Sequence, residues 1–360
     1  MNEEIKLLCR AASLLTDWYR AEGRELPWRT DPSPYHVWLS EIMLQQTRIE
    51  AVIPYYERFL REIPDIAALA AVEDERLMKL WEGLGYYSRA RNLKRAAITV
   101  TESHGGELPR TAAELRRLAG IGPYTAGAVA SIAYGEPEPA VDGNVLRVVS
   151  RLLADGSDIM LGSTRDRVTA QLRETYPEAG DGCRALTQAW MELGERVCIP
   201  GGTPKCEECP VRALCRAHAA GEEEQYPFRS AKKPRRIEEK TVLLLFCGDR
   251  FAVRRRPDSG LLAGLWEFPT LEGRASEGRV REHLQSLGIE AGMITPTAPA
   301  KHIFTHIEWH MDGYTVDCLD LPAEGGEFSW VTAAAWREEY AAPTAYRAFT
   351  KLVLSREGSI

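Results

Sequence analysis

Four cysteines within 18 positions, Cys198, Cys206, Cys209 and Cys215, constrain this chain more than any other feature of its sequence. Their arrangement is C-x7-C-x2-C-x5-C, and the inner pair can clamp a metal from one turn of chain. Four thiolates suit a tetrahedral zinc or a [4Fe-4S] cluster, and spacing alone does not choose between them. Flanking Pro200, Pro204 and Pro210 speak for a built loop. Eight cysteines in 360 residues are too sparse for a disulfide scaffold, so a reducing compartment is expected. The net charge of −7 argues against a protein that coats nucleic acid through bulk positive charge, but leaves room for a local basic groove.

At roughly 100 to 200 residues per domain, a chain of this length holds more than one core. Up to about residue 220 the pattern is helical. Ile5, Leu8, Cys9, Ala12 and Leu15 fall at helical spacing, as do Val145, Val148, Val149 and Leu152, and Leu186, Trp190, Leu193 and Val197. These stripes are expected to build core. The N-terminal segment runs straight into such a stripe and lacks a signal-peptide layout, and no apolar run approaches the ~20 residues of a bilayer span. A cytoplasmic, non-membrane protein is expected. Residues 221–236, GEEEQYPFRSAKKPRR, read as a linker. Beyond it, Thr241 to Cys247 and Phe251 to Arg256 flank a Gly248-Asp249-Arg250 turn, with further strand candidates at Tyr314 to Cys318 and Phe328 to Val331, which predicts an α+β domain over 237–360.

Three further patterns bear on chemistry. Leu118-Ala-Gly-Ile-Gly-Pro-Tyr124 puts Gly120 and Gly122 in a tight turn before a helix that starts at Pro123. Exposed N–H groups at such a helix start can hold a phosphate without Lys or Arg, although a turn of this kind taken alone more often just joins two helices. Asp142 stands where it would cap the Val145 helix, and a carboxylate fed by N–H donors is expected to stay ionised at neutral pH. Glu41 lies in a helix with large apolar neighbours; such a glutamate taken alone is more often a solvated helix-surface residue, but partial burial would raise its pKa and fit it for general acid work. One carboxyl kept protonated and one kept ionised are what glycosidic cleavage through an oxocarbenium-like state needs.

Together these features resemble the helix-hairpin-helix DNA glycosylase superfamily over roughly residues 5 to 216. SEIMLQQT, Gly83 to Leu93, GIGPYTAGAV and VDGNV are similar to the MutY-type adenine DNA glycosylases in particular. The resemblance implies an all-α helix-hairpin-helix domain over 1–220 with its iron–sulfur loop at 198–215, and a C-terminal α+β Nudix-like domain. It favours [4Fe-4S] over zinc in a structural role, although this chain has seven residues between the first two ligands where relatives usually have six. It makes Glu41 the acid that protonates N7 of the flipped adenine. Asp142 becomes the carboxylate that stabilises the sugar cation, by charge or by transient covalent attachment. Tyr124 and Asn144 support these two, while Trp28, Arg29 and Gln188 line the adenine pocket. Gln46, Leu84 and Tyr86 enter the base stack opposite the lesion.

Tyr124 occupies the position where endonuclease III relatives carry a Schiff-base lysine, so a monofunctional enzyme is expected. Leu261 to Pro269 resembles a Nudix opening, but the Glu-rich magnesium helix is absent, the nearest stretch being Arg279 to Gly288, which speaks against nucleotide hydrolysis. Phe304-Thr305-His306 aligns with the Phe-Ser-His loop that reads 8-oxoguanine in the family. The implied partner is double-stranded DNA with A:8-oxoguanine or A:G mispairs, bound by a monomer in a bacterial cytoplasm that hands its abasic product to an AP endonuclease. The competing readings are an endonuclease III-like lyase for pyrimidine lesions and a catalytically silent DNA-binding iron–sulfur protein.

Overall fold

The computed structural model describes residues 2–231, 234–321 and 326–356. Lys232 and Lys233 of the basic run therefore lie outside the described residues. The chain forms two compact units that do not follow chain order. One comprises Met1–Ala71 with Arg91–Ala231, the other Val72–Ala90 with Lys232–Ile360. The first part of the stretch read as linker thus groups with the helical unit and contains a 3-10 turn at Glu223–Gln225.

The helical unit is built on the stripes that periodicity marks. Helix Glu3–Glu22, capped by the Asn2 side chain, buries Leu8, Ala12 and Leu15. They pack with Val145, Val148, Val149 and Leu152 of helix Gly143–Leu153 and with Leu186, Trp190 and Leu193 of helix Asp181–Arg196. Each fully buried aliphatic side chain of this kind contributes about 1.5–3 kcal/mol. Among the described residues no helix is long and apolar enough to cross a membrane.

The second unit holds a sheet of β1 (Arg236–Cys247), β2 (Arg250–Arg255), β3 (Trp266–Glu267), β4 (Thr270–Glu272), β5 (Ala291–Pro296), β6 (Ala300–Ile303), β7 (Ile307–Cys318) and β8 (Ser329–Thr332). Its main order is β3-β2-β1-β7-β5, with β4 on β1, β6 on β7 and β8 on β2. β1 and β7 run parallel, in register from Arg236↔Ile307 to Phe246↔Asp317. Val242, Leu244 and Phe246 face one cluster and Leu243 and Leu245 another, which is why this stretch reads as a continuous apolar run. β7 begins seven residues before the predicted Tyr314, and Gly313 lies inside it without turning the chain. A Cβ at Gly313 would stand 2.5 Å from the Phe349 ring and 2.6 Å from the Thr297 hydroxyl, so glycine is there for close approach. Helix Glu277–Ser286, which covers most of the Arg279 to Gly288 stretch, is capped by Ser276 and packs through Val280 and Leu284.

Leu193 is fully buried where three helices meet. Replacing it with alanine is expected to lower unfolding free energy by about 2–5 kcal/mol, measured by urea titration of the full chain.

Candidate active site

Helix Pro34–Leu44 starts at a Ser33 cap with Pro34 in its first turn and is buried over most of its circumference, from Tyr35 to Met43. Glu41 is carried into that environment and is 6% exposed. Burial pushes its carboxyl up to about 7, the nearby Asp142 adds to the rise, and the Tyr124 hydroxyl and Arg29 pull the other way. Tyr124 donates to Glu41 Oε2 at 2.6 Å. It sits in the first turn of helix Pro123–Ala128, directly after the glycine turn. Gly120 has φ +74°, and a Cβ there would meet Asn92 Cβ at 2.6 Å, so backbone and space both demand glycine. A Cβ at Gly122 would meet open space.

Asp142 caps helix Gly143–Leu153. Its Oδ1 accepts from the Asn144 and Val145 amides at 2.9 and 2.8 Å, and its Oδ2 from Asn144 Nδ2 at 3.0 Å. Burial nonetheless raises its pKa above the ordinary carboxylate value, with the two backbone donors and Arg147 opposing. This corrects the expectation of opposed environments: both carboxyls are displaced upwards, because desolvation reaches Asp142 as well as Glu41. The difference lies in partners, one hydroxyl for Glu41 against three N–H donors for Asp142.

Glu41, Tyr124, Asp142, Asn144, Trp28, Arg29 and Gln188 line one recess. Trp28 packs edge-on to Tyr56 at 5.3 Å, and Gln188 Nε2 donates to the Arg184 carbonyl at 3.3 Å. Arg29 donates to Glu192 Oε2 at 2.8 Å and to the Arg24 carbonyl at 3.0 Å. Glu192 is fully buried and also takes Arg24 Nε at 2.6 Å, and these cations hold its carboxyl at about 2 despite burial. Sequence reasoning missed Glu192 and Glu195, the latter also in the recess lining. The signal was there: Gln188, Glu192 and Glu195 form a polar i, i+4, i+7 stripe beside the core stripe of helix Asp181–Arg196. Gln46 lies in the turn after helix Pro34–Leu44, exposed and outside the recess lining, with a left-handed φ of +61°.

Cys198, Cys206, Cys209 and Cys215 surround a small cavity in the same unit. Burial pushes Cys206 up to about 11, with the Glu223 carboxylate and then the other cysteines adding to the rise, and Cys209 up to about 12, with the other cysteines adding. Among the described residues the ligand atoms lying within 4.8 Å of one another are those of Cys206, His218 and Glu223. Between the first two cysteines the loop turns at Gly201 and Gly202, left-handed at φ +70° and +80°, before Lys205 N bonds the Val197 carbonyl at 3.0 Å. Arg151 donates to Cys198 Sγ at 3.3 Å, and Arg147 bridges the Cys198 carbonyl at 2.8 Å and Asn144 Oδ1 at 3.0 Å.

In the other unit, the turn after helix Asp74–Leu80 carries Gly83, Gly85 and Tyr86 with φ of 99°, 70° and 47°. Leu84 is packed at 6% exposed, whereas Tyr86 is 48% exposed and its hydroxyl lies 3.0 Å from Thr305 Oγ1. Phe304, Thr305 and His306 form the tight β6–β7 connection, closed by Phe304 N bonding the Ile307 carbonyl at 2.8 Å. Thr305 and His306 are exposed, while Phe304 packs edge-on to Trp309 at 4.9 Å.

Residues 39–178 match the HhH-GPD superfamily base excision DNA repair protein family, and residues 241–352 match the NUDIX domain. In fold the chain is similar to a thermostable thymine-DNA glycosylase, at 27% identity and TM-score 0.54, over 60% of this chain and 98% of that one. Fold and site thus define a helical base-excision glycosylase joined to a Nudix-like domain. The adenine DNA glycosylase of Homo sapiens is 37% identical over 356 residues, covering 82% of this chain and 64% of that protein. That of Mus musculus is 36% identical over 371 residues, covering 86% and 71%. The chain belongs to the adenine DNA glycosylase family.

Glu192→Gln would leave Arg24 and Arg29 with an uncharged partner at a buried position, and a loss of about 3 kcal/mol is expected. Because Glu192 titrates at about 2 when folded, its charge stabilises the native state above the ordinary carboxylate range and ceases to do so as pH falls through about 2. The stability gap between parent and variant, read by denaturant titration, is therefore expected to narrow as pH falls below about 4.

Proposed function

We propose that this chain is a monofunctional adenine DNA glycosylase that flips adenine out of mispairs with 8-oxoguanine or guanine and hydrolyses its N-glycosyl bond. The observation that carries this reading is a buried Glu41 displaced to about 7, bonded to the Tyr124 hydroxyl in the recess that Asp142 also lines. In its acid form Glu41 donates a proton to adenine N7, so the C1′–N9 bond breaks with adenine leaving as a neutral base. Asp142, fixed by three donors, faces the sugar cation that remains. Water adds at C1′, and its proton leaves as the abasic site forms. Trp28, Arg29 and Gln188 hold the base, and Asn144 fixes Asp142. With a phenol at 124 and no amine at that position, strand cleavage through a Schiff base has no nucleophile there.

The domain assignment that goes with this reading is a glycosylase segment over 1–220, a linker over 221–236 and a recognition segment over 237–360. Cys198, Cys206, Cys209 and Cys215 would hold a [4Fe-4S] cluster. Its contribution is structural, fixing the loop that meets DNA phosphate. Gly120 and Gly122 offer backbone N–H groups to the strand. Gln46, Leu84 and Tyr86 would fill the stack opposite the lesion, for which Leu84 must leave its packed position, and Phe304, Thr305 and His306 would read 8-oxoguanine. A monomer acting on DNA in a bacterial cytoplasm, passing its product to an AP endonuclease, completes the proposal.

The test is a duplex with one A:8-oxoguanine pair, each time point divided between alkali treatment and none. Strand scission that requires alkali is expected; scission without alkali would restore the lyase, and none in either arm would leave a silent binder. Since the acid form of Glu41 does the work, single-turnover release is expected to fall as pH rises through about 7, by about tenfold per pH unit beyond it.

A further inference from the structure

The segment Val72–Ala90 belongs to the same compact unit as the C-terminal residues, and besides the Tyr86–Thr305 contact several of its bonds converge on one stretch of main chain. Lys79 Nζ donates to the Tyr340 carbonyl at 3.0 Å and the Trp336 carbonyl at 3.4 Å, and is also held by Glu82 at 2.6 Å. Glu82 Oε1 accepts the Ala342 amide at 2.8 Å, and the Tyr87 hydroxyl donates to the Ala342 carbonyl at 3.3 Å. Lys79 is only 14% exposed, an unusual state for a lysine, whose strongly hydrated ammonium is costly to bury unless its donors are met. Here carbonyls and one carboxylate meet them.

The 336–342 stretch is itself anchored to the sheet. Trp266 N, at the start of β3, bonds the Ala341 carbonyl at 3.1 Å, and the Tyr340 ring packs against Trp266 at 4.7 Å. On the other side, Glu82 and Tyr87 bracket the turn of Gly83, Leu84, Gly85 and Tyr86. That turn is braced from within by Arg89, which donates to the Leu84 and Gly85 carbonyls at 2.9 and 3.1 Å. A left-handed tyrosine at φ +47° persists only where its surroundings over-determine it.

We propose that Lys79, Glu82 and Tyr87 are positioning residues, which lock the Gly83–Tyr86 turn onto the 336–342 strap and so present Tyr86 to the Thr305 loop, making discrimination of the base opposite adenine depend on that strap. This rests on the proposed glycosylase reading, in which Tyr86 and Thr305 face that base. None of the three residues touches the reacting atoms. Their effect is transmitted through the placement of Tyr86, so it falls on selectivity before it falls on chemistry.

The test uses the full chain carrying Lys79→Met, Glu82→Gln or the conservative Lys79→Arg. Amide exchange of residues 83–87 and single-turnover adenine release from A:8-oxoguanine and A:G duplexes are read side by side. Lys79→Met and Glu82→Gln are expected to speed exchange in the turn by about tenfold, the weight of one or two hydrogen bonds. They are also expected to reduce the ratio of the two release rates by about fivefold or more, while Lys79→Arg restores most of both. Glu82→Gln keeps the shape of the side chain and guards against a folding failure of Lys79→Met. Unchanged exchange would overturn the lock, and faster exchange with an unchanged rate ratio would overturn its role in selectivity. A parent that releases no adenine from either duplex would instead overturn the glycosylase reading and the selectivity claim with it, while the exchange data would still decide the lock.

Discussion

Asp142 stands at the head of helix Gly143–Leu153, and three N–H donors fix its carboxylate where that helix begins. The same helix contributes Val145, Val148, Val149 and Leu152 to the core of the helical unit. One turn further on it carries Arg147, which reaches both Asn144 and the Cys198 carbonyl. The capping carboxylate, the hydrophobic core and the cysteine loop therefore meet on one element. The capping interaction that starts the helix also aims the group that would face a sugar cation, so local folding and the chemistry of the site share an origin.

Electrostatically the recess is costly. It holds two carboxyls displaced upwards by burial, with Asp142 adding to the rise at Glu41 and Glu195 to that at Asp142. Glu192 shows the opposite solution close by: fully buried, it is held ionised because Arg24 and Arg29 reach it. Arg29 lies in the recess lining and pairs with Glu192 at 2.8 Å, and its pull on Glu41 is outweighed by burial, which holds that carboxyl at about 7. An acid that must give up a proton at neutral pH is best placed with a pKa near that pH.

Much of this was legible in the sequence wherever a side-chain period or a spacing carries it. Leu8 and Leu15, the Val145 stripe, the apolar run of β1 and the cysteine spacing all announce themselves, and the structure places Glu41, Tyr124, Asp142 and Asn144 around one recess. What escaped depends on tertiary partners. The Glu192 network joins residues more than 160 positions apart. The rise at Asp142 comes from burial that a count of capping donors does not include. The first half of β7 alternates Trp309 and Met311 with Glu308 and His310, and Gly313 reads as a break until the Phe349 ring above it is known. The grouping of Val72–Ala90 with the C-terminal unit uses backbone carbonyls of 336–342, which leave no trace in residue identity.

The central claim is that Glu41 and Asp142 together break the N-glycosyl bond. Its most direct test is quantitation of free adenine released in a single turnover from an A:8-oxoguanine duplex by the parent, Glu41→Gln and Asp142→Asn, with DNA affinity measured on the same preparations. The account predicts adenine from the parent and a loss of at least about 100-fold in each variant at retained affinity. Release near the parent rate from either variant would contradict it.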